Sequence, residues 1–389
     1  MPERSLTEVT EFILDGTHGS PVRTDDGVPV LSAQNVKGGE LDYHTSRHTS
    51  EREYASFRRR LEPRPGDVLL TIVGTIGRAA VVAHARPVVL QRSVAVLRPN
   101  GFLDSRYLFH ATQSDGFQAQ LARASNTSSQ TGVYLGRLGN VTLDVPPLEE
   151  QRRIAAILDQ ADALRAARRE AIAHLDTLAM ATFLSMFGGS SFGSQKLGAA
   201  LDSAEVFTDG DWVESKDQDP DGQVRLTQLA DVGDGSWLDK SARFLTVEKA
   251  AELRCPYLAA GDVLVARMPD PLGRACVFPG DLRPAVTVVD VCVIRVDPER
   301  ATPEWLAACI NTPSVRAQIA RYATGTTRSR ISRGNLKEVL VPNVPMGAQA
   351  AFSKRSEVIN RARGSSGRQL AQLDSLFKSL QSRAFDGEL

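Results

Sequence analysis

The chain is poor in the features that mark membrane, secreted or metal-holding proteins. No window reaches about 18 uninterrupted apolar residues; the nearest, residues 68–83, is broken by Gly74, Gly77 and Arg78, which speaks against a spanning helix. The opening MPERSLTEVTEF is acidic where a secretory signal needs a basic start and an apolar run, so a cytoplasmic location is expected. Cysteine is scarce. Cys255, Cys276, Cys292 and Cys309 form no CxxC pair, so spacing gives no support to zinc or redox chemistry. They read as small apolar residues kept reduced. An excess of one charge is missing too: 46 basic and 46 acidic side chains leave a net charge of +0. This argues against a protein that coats DNA by bulk electrostatics, but not against one with local basic surfaces or one bound within a larger complex.

Catalytic signatures are also lacking. There is no GxGxxG after a strand, no GxxxxGK(S/T) loop, no HExxH and no GxSxG. Amino-methyltransferases hold their target amine with an Asn/Asp-Pro-Pro-aromatic segment, and Val145-Pro146-Pro147-Leu148 lacks both key residues. No catalytic residue is nominated. His44 and His48 stand four apart, but no third ligand lies nearby and the flanking Tyr43 and Thr45 do not read as helix, so no metal site is expected.

What remains is ordinary globular composition, 42% hydrophobic and 24% charged, in a chain long enough for two or three domains. It is also repetitive. Gly66-Asp67-Val68-Leu69 recurs as Gly261-Asp262-Val263-Leu264, and Gly77-Arg78-Ala79 as Gly273-Arg274-Ala275. Gly139-Asn140 recurs as Gly334-Asn335, then Pro147 and Gln151 as Pro345 and Gln349. Leu175, Asp176, Leu178 and Phe187 recur as Leu373, Asp374, Leu376 and Phe385. Collinear matches at nearly one long offset mean two copies of one domain, since the period is far too long for a solenoid.

Each copy begins with short β-rich runs punctuated by Gly, Pro, Asn and Asp, and ends in a long helical segment. In the first, Pro146-Pro147 precedes the helix and Glu149 and Glu150 occupy its first turn, where the helix dipole favours them. Ile154, Ile157, Ala161, Leu164, Ala171, Leu175 and Leu178 then fall on three-and-four spacing, a coiled-coil seam interrupted at Arg168. At 1.5 Å per residue such a helix would run roughly 60 Å. The second copy places Ile359, Ala362, Leu373, Leu376 and Leu380 on comparable spacing, with Gly364-Ser365-Ser366-Gly367 inside it, so a kink or a late start is expected there. Two apolar stripes need partners. The fold class expected is α+β: a tandem duplication of a mixed α/β domain plus a long helix, the two helices packed as an antiparallel coiled coil with a domain at each end.

DGTHGSPVRTDDGVPVLSAQNV (15–36), GDVLLTIVGTIGRAAVV (66–82), VPPLEEQRRIAAILDQAD (145–162) and GTTRSRISRGNLKEVLVP (325–342) resemble recurring segments of the specificity subunits of type I restriction–modification systems. The second copy departs from the pattern, with VPNVPMGAQAAF where PPLEEQ is expected. The resemblance implies two target recognition domains, 1–147 and 190–343, a central long helix at 148–189 and a C-terminal one at 344–389. It implies that the chain is not itself an enzyme and binds no cofactor. Its partners would be double-stranded DNA, two copies of an adenine methyltransferase subunit carrying S-adenosylmethionine, and motor-nuclease subunits for restriction. Because the copies differ in sequence, an asymmetric split site follows.

Base readout needs polar side chains on loops. The first copy offers Asn126, Thr127, Ser128 and Gln130, and the second Thr326, Thr327, Arg328 and Arg330. A strand–glycine–strand segment adds Thr71, Thr75 and Arg78, with Arg267 and Arg274 in its counterpart. Each set reads equally as an ordinary solvated loop or turn. Arg58-Arg59-Arg60 and Arg64 form a basic run that suits phosphates or a solvated face. Helix packing and subunit docking fall to Ile154, Ile157, Leu164, Leu175, Leu178, Ile359, Leu373, Leu376 and Leu380. Three other readings stay open: a specificity-like module of another DNA-based defence system, a protein scaffold that binds no DNA, and a cryptic methyltransferase or nuclease acting alone.

Overall fold

The computed structural model describes residues 2–126, 131–189, 192–269, 271–325 and 328–389. They form two compact units, Met1–Ala167 with Gln369–Leu389, and Arg168–Arg368. Among the described residues no helix is long and apolar enough to cross a membrane.

In the first unit a four-stranded antiparallel sheet runs in the order Thr10–Asp15, Val94–Pro99, Val68–Thr71, Ala79–Val81. Its central strand is buried on both faces, which is why VLLT reads as an unbroken apolar run. Alternation divides its side chains between two cores. Val68 and Leu70 join Tyr107, Leu108 and Phe117 of two short helices, whereas Leu69 joins Leu31, Val88 and Val96. A smaller sheet, His48–Thr49, Val28–Leu31, Val89–Leu90, mixes one antiparallel and one parallel pairing.

The second unit repeats this plan: Val206–Asp209, Val291–Arg295, Val263–Ala266, Ala275–Val277 in one sheet, and Phe244–Leu245, Val224–Thr227, Ala285–Thr287 in the other. The repeated Gly-Asp-Val-Leu has a physical reason. Asp67 is buried and takes a bidentate pair from Arg98 (2.7 Å to each oxygen), and Asp262 takes the same from Arg295 (2.8 and 2.9 Å). The four cysteines are buried in the second unit, and burial pushes the Cys255 thiol up to about 11 and those of Cys276 and Cys309 to about 12.

The two long helices, Leu148–Phe187 and Met346–Phe385, are 40 residues each. Each is joined to its β-rich domain by a buried glutamine. Gln151 donates to Phe102 O and Pro146 O (both 2.8 Å) and accepts from Asp104 N (2.8 Å). Gln349 donates to Val344 O (2.9 Å) and Arg300 O (3.4 Å) and accepts from Thr302 N (3.0 Å). The second copy thus keeps the joint although it lacks PPLEEQ. In the first unit the joint is reinforced further along the helix. Arg106 and His110 both bind Asp159, His110 Nε2 at 2.6 Å, and burial holds that imidazole below its ordinary pKa despite the carboxylate.

Within each unit the helix segments run antiparallel. In the first, Arg153 meets Leu389 and Arg165 meets Asp374 (2.7 Å), its guanidinium stacked 4.3 Å from the Phe377 ring centroid. In the second, Arg363 meets Asp176 (2.6 Å) while Phe183 and Phe187 pack on Phe352 (5.4 and 5.8 Å between centroids). The end of each helix enters a core: Phe183 and Phe187 in the second unit, Ala384 with Phe377 and Leu380 in the first.

The seam differs in part from the spacing read above. Ile154 and Ile359 are buried and Ile157, Leu175, Leu373 and Leu380 half-buried, but Leu164, Leu178 and Leu376 are about half exposed (52%, 49% and 50%). Ala161 of the seam is buried as well, and Ala155, Leu158, Phe183 and Phe187 are buried off it, because the helices pack on the sheet domains as well as on one another, and this broadens the buried face. Of the kink or late start expected at 364–367, the late start is absent. The second helix is continuous, and Ser366 is buried there (7% exposed), so small side chains serve close packing. Leu158→Ala should cost about 2–5 kcal/mol in urea unfolding, against less than about 0.5 for Leu164→Ala. Equal losses would place the seam where the heptad spacing put it.

Candidate nucleic-acid interface

The loops nominated in the first copy lie side by side. Thr71 ends its strand with its amide on Arg78 O (2.8 Å) and its hydroxyl accepting from Arg78 N (2.9 Å). Gly77 closes this turn with φ +90°, and a Cβ there would lie 2.2 Å from the Gln118 amide. The tip then pairs with the second loop: Val73 bridges Gly132, Gly74 N donates to Thr131 O (3.3 Å) and Val133 N to Ile72 O (2.8 Å). Thr75 and Arg78 are exposed. Asn126 is half-buried and accepts from Arg137 (2.9 Å). Thr127, Ser128 and Gln130 lie outside the described residues.

Beside the paired loops is a cleft of about 780 Å³ whose polar lining is Asp15, His18, Arg60, Arg92, Asn126 and Tyr134. Arg60 binds the Asp15 carboxylate (2.7 Å) and the carbonyls of Asp15 and Gly16 (2.9 and 3.0 Å) while its side chain stays half exposed. The basic run is therefore partly consumed inside the fold: Arg60 holds Asp15, and Arg58 reaches Glu62 (3.7 Å) and stacks on Tyr54. Tyr134, 67% exposed, carries an apolar ring with a polar tip on the same face.

The second unit repeats the backbone with other side chains. Ile331 N donates to Arg267 O (3.1 Å), as Val133 does to Ile72, and Thr324 and Arg330 pair across the loop (2.9 and 2.8 Å). Arg328 is exposed, and Arg330 is partly exposed with Nη2 on Val289 O (3.1 Å) and 3.8 Å from Asp290. Thr326 and Thr327 lie outside the described residues.

Three nominated residues belong to the interior instead. Thr71 is fully buried and spends its hydroxyl on the turn. Arg267, 6% exposed, donates to Ile331 O (2.9 Å) and pairs with Asp209, which Arg333 also binds (3.1 Å). Arg274, 8% exposed, caps the carbonyls of Val232, Pro271 and Leu229. A guanidinium carries five donors in a rigid fork, so it can close off several loop carbonyls at once, and nothing local in the sequence separates that use from DNA contact. The same faces carry Tyr134, His18 and Trp212, the last 66% exposed, none of which the sequence reading nominated. The available signal was the echo of Asp15-Gly16-Thr17-His18 in Asp209-Gly210-Asp211-Trp212.

Residues 22–174 match the family model described as the type I restriction modification DNA specificity domain. Over 169 residues the chain is 27% identical to the type I restriction enzyme EcoBI specificity subunit of Escherichia coli, covering 42% of this chain and 35% of that protein. The matched region thus spans about a third of that relative's length. Against the EcoKI specificity subunit of Escherichia coli K12, identity is 22% over 94% of this chain and 83% of the relative. The fold matches a type I restriction–modification S subunit from M. genitalium with TM-score 0.62 at 12% identity, over 99% of this chain and 96% of the other. It also matches, with TM-score 0.54 at 18% identity over 100% and 98%, a chain solved in work on complex assembly and conformational transition of the type I system. The resemblance to type I specificity subunits and the α+β fold with long helices are both borne out.

Arg267→Ala would leave the nearly buried Asp209 with Arg333 alone and should destabilise the protein by about 3 kcal/mol. Arg78→Ala should leave the melting temperature unchanged. A thermal scan of both variants in which Arg267→Ala melts like the wild type would return Arg267 to the list of surface contacts.

Proposed function

We propose that this chain, which carries the specificity domain and fold of type I restriction–modification specificity subunits, reads an asymmetric bipartite DNA site with one β-rich domain per half-site. The observation that carries this is the repeated face itself: two units hold the same paired loops in the same backbone frame but present different polar side chains. Thr75, Arg78, Asn126 and Tyr134 stand on one, Arg328 and Arg330 on the other. Loops bearing Arg, Asn and Thr on a rigid sheet suit base edges and phosphates. With a net charge of +0, affinity is expected to come from local contacts and from partners rather than from a general basic field.

In this reading the chain acts in the cytoplasm, holds no active site and docks two adenine methyltransferase subunits on its long helices. S-adenosylmethionine is bound by those subunits, and motor-nuclease subunits join for restriction. The half-exposed Leu164 and Leu376 in the first unit, and Leu178 and Val358 in the second, support docking, since uncovered apolar side chains on a helix are suited to a protein partner.

Exchanging residues 190–343 for the corresponding domain of another specificity subunit should change one half of the motif in adenine-methylation maps of cells expressing the chain with its methyltransferase. Change in both halves, or in neither, would count against one reader per half-site. Leu164→Asp should leave the melt intact yet reduce co-purification of the methyltransferase severalfold, and undiminished co-purification would move docking elsewhere.

A further inference from the structure

One seat recurs in both units with the same backbone bonds and a different side chain on top. In the first unit Gly16 N donates to Val94 O (3.0 Å), Thr17 N to Leu90 O (2.7 Å), and Arg92 N returns a bond to Thr17 O (3.0 Å). In the second, Gly210 N donates to Val291 O (3.1 Å), Asp211 N to Thr287 O (3.1 Å), and Val289 N returns one to Asp211 O (2.8 Å). The glycine is required by close approach: a Cβ would lie 2.2 Å from Leu90 O in one unit and 2.1 Å from Thr287 O in the other. Beneath each seat is an arginine-bound aspartate, Asp15 held by Arg60 and Asp209 by Arg267 and Arg333. The pedestal is rigid and sequence-invariant between copies at its Asp-Gly pair.

The residue on top is not invariant. It is His18 in the first unit, with 65% of its side chain exposed and Nε2 on Asp15 (2.7 Å), and Trp212 in the second, 66% exposed. Both adjoin the candidate loops. His18 lines the cleft shared with Asn126 and Tyr134. Trp212 follows Asp211, whose carbonyl is bound by Val289 N, while Val289 O accepts from Arg330 (3.1 Å). The other tryptophans are spent internally: Trp305 is fully buried and Trp237 packs edge-on against Phe278 (5.1 Å). The Trp212 indole hydrogen-bonds Glu214 and still leaves a flat apolar face in water, on which a base can pack by stacking or by wedging at a base step.

We propose that this seat is a specificity-determining DNA contact: Trp212 packs its ring against a base of one half-site, and His18 hydrogen-bonds a base edge of the other. The assignment rests on the DNA-reading function above. Its test is selection from a random double-stranded DNA pool by the full chain assembled with its methyltransferase, comparing wild type with Trp212→Ala, Trp212→His and Trp212→Phe. Trp212→Ala should bind the wild-type motif about tenfold more weakly or worse with an unchanged melt. Trp212→Phe should keep most of the affinity, and Trp212→His should alter base preference in one half-site while leaving the other intact. Wild-type motif and affinity in both the Ala and His variants would overturn the assignment and leave the DNA-reading function standing. A wild-type complex that selects no bipartite motif would remove that function and this contact with it.

Discussion

The arrangement depends on two buried glutamines. Gln151 and Gln349 sit in the first turn of the long helices, almost wholly removed from water, and each spends its amide on carbonyls and an amide of the adjoining domain. A buried amide left unpaired costs a few kcal/mol, so only one direction of departure satisfies both the helix and the domain. The short helix beginning at Ser105 is anchored by the same group, because the amide bound to Gln151 is that of its N-cap, Asp104.

From that constraint follows the way each core is completed. The start of a long helix packs on the domain it leaves, and each unit is finished by the far end of the other helix: Ala384 and Phe377 in the first, Phe183 and Phe187 in the second. Helices that must bury against a sheet domain and against another helix cannot keep one narrow heptad stripe. The buried face broadens, aromatic and alanine positions enter it, and Leu164, Leu178 and Leu376 are left in water.

Charge follows a similar division. A chain with equal numbers of acidic and basic groups uses many arginines as internal fasteners: Arg98 and Arg295 on the Gly-Asp-Val-Leu aspartates, Arg60 and Arg267 under the Asp-Gly seats, Arg274 across three carbonyls. The guanidiniums left at the surface, Arg78 and Arg328 among them, stand on loops whose frame those fasteners hold. Rigid support with exchangeable surface groups allows one fold to present two different polar faces.

The duplication, the β-rich domain followed by a long helix, and the resemblance to type I specificity subunits were legible in the sequence, because Gly66-Asp67-Val68-Leu69, Pro147 and Gln151 recur in the same order at nearly one offset. Two helices with apolar stripes were legible too, since periodicity of 3.6 is a local property. The positions of Leu164, Arg267, Arg274 and Trp212 were not. Whether a leucine is covered, or an arginine turned inward onto carbonyls, depends on groups that lie 40 or more residues away, such as Leu229 beneath Arg274 and Ile331 beneath Arg267. The unbroken helix through Gly364-Ser365-Ser366-Gly367 was decided in the same way: propensity disfavours helix there, and packing that buries Ser366 outweighs it. Sequence determined which elements exist and that they occur twice; tertiary packing alone decided which face of each is buried, because burial is a relation between distant segments and not a property of any one of them.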